Sequence, residues 1–180
     1  MKLDPKYFIP FLAIVAIATA LIITFFTISS QKGQRQAFER AIMQQDSLKM
    51  EQMKLLNADS TISVKQFEGK FVLLDFWATW SNFSEGAHVQ VAEILKLHPD
   101  TLHIIAAVVE DKGEKVISYI ERNKFPFDFV NGTRVFNQYQ VPGLPTQLLY
   151  NPSGEIIDVY FGSADSTQYD SLRLLLNNGD

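Results

Sequence analysis

Between Tyr7 and Ile28 the chain runs without a charged side chain, YFIPFLAIVAIATALIITFFTI. As a helix rising 1.5 Å per residue, that stretch reaches about 33 Å, enough to cross a hydrocarbon core of about 30 Å. Pro10 falls in the first turn of such a helix, where its missing N–H costs little. A cleaved signal peptide is the competing reading, because Ala18-Thr19-Ala20 has the small-residue pattern of a cleavage site. The apolar run continues to Ile28, however, which is longer than a signal h-region of about 7–15 residues. An uncleaved anchor is therefore expected over residues 7–28, behind a short N-terminal tail, residues 1–6. Lys2 and Lys6 flank it on one side and Lys32, Arg35 and Arg40 on the other, so the bias of basic residues toward the cytoplasm gives no orientation.

Of 16 basic and 20 acidic residues in the 180, only Lys2, Lys6 and Asp4 precede residue 29. The remainder is thus acidic and has no Lys/Arg cluster, which argues against nucleic acid as a partner. A composition 47% hydrophobic and 20% charged is that of a globular chain and excludes intrinsic disorder. Cysteine is absent. Disulfides, thiolate metal sites and every cysteine mechanism are excluded with it.

Residues 29–57 are rich in helix formers and read as a helical stalk. Within it Phe38, Ala41, Gln45, Leu48, Gln52 and Leu55 follow a 3-4 spacing. A coiled-coil seam is the alternative, weakened by two glutamines and by too few heptads. From residue 58 to 180 strand-like and helix-like pieces alternate. Phe71–Trp77 (FVLLDFW) and Leu102–Val109 are apolar runs expected of strands covered on both faces. Phe83–Leu97 reads as a helix burying Val89, Ala92, Leu95 and Leu97, and Glu114–Asn123 as another. Phe127–Val130 is a short third strand. Gln147–Tyr150 and Ile156–Tyr160 form a hairpin across Asn151-Pro152-Ser153-Gly154. Ser166–Leu176 closes the chain as a helix capped by Asp165 or Ser166 and stopped at Asn177-Asn178-Gly179. The pattern is α/β with a mixed sheet.

Trp77-Ala78-Thr79-Trp80 follows a buried strand and precedes a helix. With the longer stretch Val64–Trp80 (VKQFEGKFVLLDFWATW) it resembles the membrane-anchored thiol–disulfide oxidoreductases of the TlpA/ResA type. Val141-Pro142-Gly143-Leu144-Pro145-Thr146 resembles that family's cis-proline loop, with Pro145 as the cis residue. The intervening stretch from Leu102 to Val130 is also typical of this branch. The resemblance covers residues 59–178 and implies a thioredoxin-like mixed sheet flanked by helices behind one N-terminal transmembrane helix. It also implies a bacterial inner-membrane protein with its soluble domain facing the periplasm or exterior.

Where the family has Cys-x-x-Cys, this chain has Ser81-Asn82-Phe83-Ser84. A serine hydroxyl neither ionises usefully at a helix N-terminus nor forms a disulfide, so oxidoreductase chemistry does not carry over. Asp75 matches the family's buried carboxylate and is left as a relic or a structural acceptor. Ser81 is expected to cap the helix. The sharper alternative is a serine-dependent enzyme using Ser81 or Ser84 with His88, one turn beyond Ser84, although no third member and no oxyanion hole suggest themselves. Replacement of native cysteines by engineering is a further alternative.

His88, His98 and His103 lack metal-ligand spacing, so no metal and no cofactor is expected. Trp80, Phe83, Leu144, Pro145 and Thr146 ring the groove where the resembled fold holds an extended peptide. Asn82-Phe83-Ser84 and Asn131-Gly132-Thr133 match the N-glycosylation pattern, which matters only in a eukaryotic secretory setting. The expected protein is therefore not an enzyme. It is a redox-inactive binding module with a membrane-associated or exported protein partner, touching the lipid bilayer through residues 7–28.

Overall fold

The apolar run folds as expected into one helix, α1 (Pro5–Ile42), within a computed structural model that describes residues 5–162 and 169–177. The chain divides into two units, residues 1–37 and residues 38–180. In the first, the most apolar 18-residue stretch has a mean hydropathy of 2.7 and no buried residue, making the helix a candidate transmembrane span. Thr19, Thr24 and Thr27 each donate their hydroxyl to the carbonyl four residues earlier at 2.8 Å. Back-bonding of this kind satisfies a hydroxyl that hydrocarbon would leave bare. Pro10 lies inside the helix rather than in its first turn, because the helix already includes Pro5.

The helix expected to continue to residue 57 stops at Ile42. Beyond it the chain makes a 3₁₀ turn at Leu48–Met50 and a two-residue strand, β1 (Met53–Lys54), antiparallel to β2 (Thr61–Ile62). Phe38, Ile42, Leu48 and Met53 are buried in the core of the second unit. That set is not the 3-4 seam. Burial of four large apolar side chains against a sheet outweighs a seam carrying Gln45 and Gln52. The folded domain thus begins some twenty residues before position 58.

Five strands form the main sheet in the order β5-β4-β3-β6-β7. They are β3 (Phe71–Trp77), β4 (Leu102–Val108), β5 (Asp128–Asn131), β6 (Thr146–Tyr150) and β7 (Ile156–Phe161). β3 and β4 run parallel, as do β4 and β5, while β3–β6 and β6–β7 are antiparallel. Every residue of β3 is buried, as its unbroken apolar run predicts for the middle of a covered sheet. The hairpin turn places Gly154 at φ +78°, where a side chain is strained.

One face of the sheet lies under α2 (Ser84–Leu97), α3 (Gly113–Asn123) and α5 (Asp170–Asn177). The other packs on residues 38–67 and on α4 (Thr133–Gln138), a six-residue helix with no sequence expectation. Just before α4, a Cβ on Gly132 would stand 2.6 Å from that of Ala107, so the helix reaches the sheet only because residue 132 has none. α2 buries Ser84, Ala87, His88, Val91, Ala92, Ile94 and Leu95, a stripe of 3.6-residue period. Val89 and Leu97, expected inside, are exposed because they fall off that stripe. The caps proposed at Asp165 and Ser166, and the stop at Asn178-Gly179, lie outside the described residues.

Candidate functional site

Strand β3 ends at Trp77, and the chain turns through Ala78–Phe83 before α2 begins at Ser84. Ser81 therefore stands three residues before the helix and does not cap it; the cap position is Phe83, without a side-chain bond. The Ser81 hydroxyl instead donates to the carbonyl of Leu144 at 3.4 Å. Ser84 is buried in the first helical position, and its hydroxyl has no partner among the described residues. Trp80 and Phe83 stand 58% and 55% exposed. The Trp80 indole N–H donates to the carbonyl of Glu110 at 3.4 Å, and the Thr79 N–H to the Asp111 carboxylate, so the loop after β4 straps this turn down.

The Leu144–Pro145 peptide bond is cis. Leu144 is half-buried and packs on the core, while Pro145 and Thr146 are buried. Thr146 donates its hydroxyl to the Gly143 carbonyl at 2.7 Å, which removes it from the surface. Of the five residues assigned to the groove, then, only Trp80 and Phe83 present large exposed side chains. Beside them a cleft of about 620 Å³ is lined by Thr79, Ser81, Asn82, Glu85, Tyr119 and Arg122 among others.

Asp75 is fully buried in β3, as expected, and so is His88. His88 Nε2 stands 2.8 Å from Asp75 Oδ2, off the line of a straight N–H bond, and Nδ1 stands 2.8 Å from the Tyr119 hydroxyl. Trp77, Phe125, Phe127 and Phe129 close around the imidazole with ring centroids 4.8–6.3 Å away. Burial pushes the Tyr119 phenol well above its ordinary range, helped by the charges of Glu85 and Asp75, so it stays protonated. His88 Nδ1 is taken by Tyr119, Nε2 faces Asp75, and the buried Ser84 hydroxyl has no hydrogen-bond partner among the described residues, so no described hydrogen bond joins either serine to His88. The serine–histidine arrangement is therefore not built, because α2 turns residue 88 into the core.

Sequence reasoning missed the Asp75–His88–Tyr119 cluster. Its signal was the place of His88 in the middle of an apolar helical stripe. Of the other histidines, His98 ends α2, and His103 bonds Asp128 at 2.9 Å at the far end of the sheet. No group of three or more potential metal ligands occurs among the described residues.

A mixed five-stranded sheet with helices on both faces, an aromatic turn leading into α2, and a cis-proline loop across from it define a thioredoxin-like fold. The structure matches a secreted Mycobacterium tuberculosis disulfide oxidoreductase at a TM-score of 0.62 and 14% identity, over 73% of this chain and 99% of that one. It matches StoA from Bacillus subtilis at a TM-score of 0.55 and 24% identity, over 67% and 93%. By sequence, the thiol-disulfide oxidoreductase ResA of Bacillus cereus is 27% identical over 110 residues, 59% of this chain and 64% of ResA. The chain thus spans less than two thirds of the curated relative it matches. No family model matches. The chain is thus similar in sequence to ResA thiol-disulfide oxidoreductases and in fold to thioredoxin-like proteins, and it contains no cysteine.

Proposed function

We propose that this protein is a redox-inactive, membrane-anchored thioredoxin-like module that binds another protein, as a subunit of a membrane complex or as a holder of extended clients. The observation that carries the reading is the pairing of Ser81 and Ser84 with an aromatic rim. Two oxygens occupy the turn where a thiol pair would act, while Trp80 and Phe83 remain exposed on a strapped loop. Rigid exposed aromatics bind other chains at low entropic cost. The anchor would be residues 7–28, in a bacterial inner membrane, with the domain on the periplasmic or outer side.

The test is affinity capture of the full-length protein from its own membranes in mild detergent, beside a Trp80→Ala/Phe83→Ala variant. Both side chains are exposed, so the variant keeps its fold. A single stoichiometric membrane partner lost in the variant supports a subunit role, and a broad set of exported proteins lost in it supports client holding. Capture unchanged by the variant rejects this face as the contact. Catalysed disulfide reduction by the unaltered protein would overturn redox inactivity.

A further inference from the structure

Three ionisable side chains, Asp75 of β3, His88 of α2 and Tyr119 of α3, meet beneath the helix that follows Ser81. The proposed binding role uses none of them. We propose that they form a proton-operated switch: proton uptake at His88 reverses its hydrogen bond with Tyr119, so that the hydroxyl hydrogen turns from the imidazole toward the cleft beside Ser81 and Asn82. This inference does not rest on the binding role.

The 2.8 Å contact between His88 Nδ1 and the Tyr119 hydroxyl fits two proton placements. With a neutral ring accepting at Nδ1, the tyrosine hydrogen points inward, and the cluster carries the single negative charge of Asp75. When Nδ1 takes one proton from water, the imidazolium donates to the tyrosine oxygen. The hydroxyl hydrogen must then point elsewhere. No covalent bond other than that N–H forms or breaks, and the cluster becomes neutral.

Two observations favour a second proton. Asp75 is buried with Oδ1 unpartnered among the described residues and Oδ2 beside Nε2. A buried carboxylate is costly until a positive charge faces it. The groups facing the cluster are few. On α2 there is Glu85, and on α3 Arg122, whose guanidinium lies 3.5 Å from Glu85 and 5.7 Å from the Tyr119 ring centre. From β6 there is uncharged Gln147, which accepts from the Tyr169 phenol at 2.7 Å; burial, with the charge of Asp75, keeps that phenol protonated. The phenylalanines at 125, 127 and 129 bring no charge.

Of the three side chains, Tyr119 is the one that lines the cleft, together with Glu85 and Arg122. The hydroxyl hydrogen turned from His88 then needs an acceptor on the cleft side, where the Glu85 carboxylate is part of the wall. Proton uptake in the core thereby becomes a change of donor and acceptor pattern at the surface.

The experiment is an NMR titration of the full-length protein in detergent micelles, following the His88 ring nitrogens from about pH 8 to about pH 4.5. His88 is assigned through its contact with the Trp77 ring, and His98 and His103 serve as references. The expected result is protonation of the His88 ring in one step, with the backbone amides of Ser81, Asn82 and Ser118 shifting at the same midpoint. In Tyr119→Phe the ring still titrates, while the shifts at Ser81 and Asn82 fall several-fold. A ring unchanged down to acid unfolding overturns the switch. So do cleft amides that stay still while the ring titrates, or that move equally in Tyr119→Phe.

Discussion

Two histidine–aspartate pairs brace this domain at opposite ends of one sheet, with nearly equal N···O separations. His88 meets Asp75 at 2.8 Å beneath α2, and His103 meets Asp128 at 2.9 Å near the start of β4. Their surroundings could hardly differ more. The first pair is sealed among aromatic rings, whereas His103 and Asp128 are 25% and 38% exposed, with Phe67 stacked 3.7 Å from the imidazole. Water can replace a lost partner at the second pair but not at the first. Equal distances therefore conceal unequal consequences.

The sharpest way to break the comparison is to remove one histidine at a time. His88→Leu leaves Asp75 buried without a counter-group, and chemical denaturation should show a loss of about 3–5 kcal/mol. Adding Asp75→Leu to that variant should recover most of the loss, because the lone buried charge is gone. Failure to recover would mean that the pair itself, rather than the orphaned carboxylate, holds the two elements together.

Acidity separates the pairs next. Burial, outweighing the attraction of Asp128, pushes the His103 imidazole below its ordinary value of 6.5. The unfolded chain then takes this proton first as pH falls. Stability from His103 is complete above about pH 6.5 and declines below it until the folded imidazole is protonated too. Melting temperatures of the wild type and His103→Gln should diverge above that value and converge below it. The smallest effect belongs to Asp128→Asn, which keeps a hydrogen-bonding group beside His103 in partial contact with water. Its cost should be about 0–1 kcal/mol by the same denaturation assay.

The sheet was legible in the sequence because β3 and β4 are apolar runs that only a doubly covered strand requires. The helix after Ser81 was legible too, but its phase was not. Val89 and Leu97 look as buriable as Val91 and Ile94, and only packing against β3 decides which stripe faces inward. The same step hid His88, a polar residue whose burial depends on an aspartate thirteen positions earlier. Residues 43–57 misled for a different reason. Their helix propensity is real, but the long-range bridge from Leu55 to Val130 and the bond from Arg134 to Glu51 at 2.7 Å draw them onto the sheet. Local propensity cannot register either contact. The turn that leaves Ser81 ahead of α2 likewise depends on Asp111 and Glu110, thirty residues away.

Phe38 and Ile42 sit at the end of a helix that, by composition alone, invites removal in preparing a water-soluble fragment. Both side chains are part of the domain core. A fragment starting at residue 43 would lose two core side chains at about 2–5 kcal/mol each, and one starting at residue 58 would lose Leu48 and Met53 besides. Cut just ahead of residue 38, the domain should stay monomeric and cooperative in thermal unfolding; cut at 43, it should melt lower and expose apolar surface to aggregation. The natural seam for the protein engineer lies inside the helix, well before its visible end.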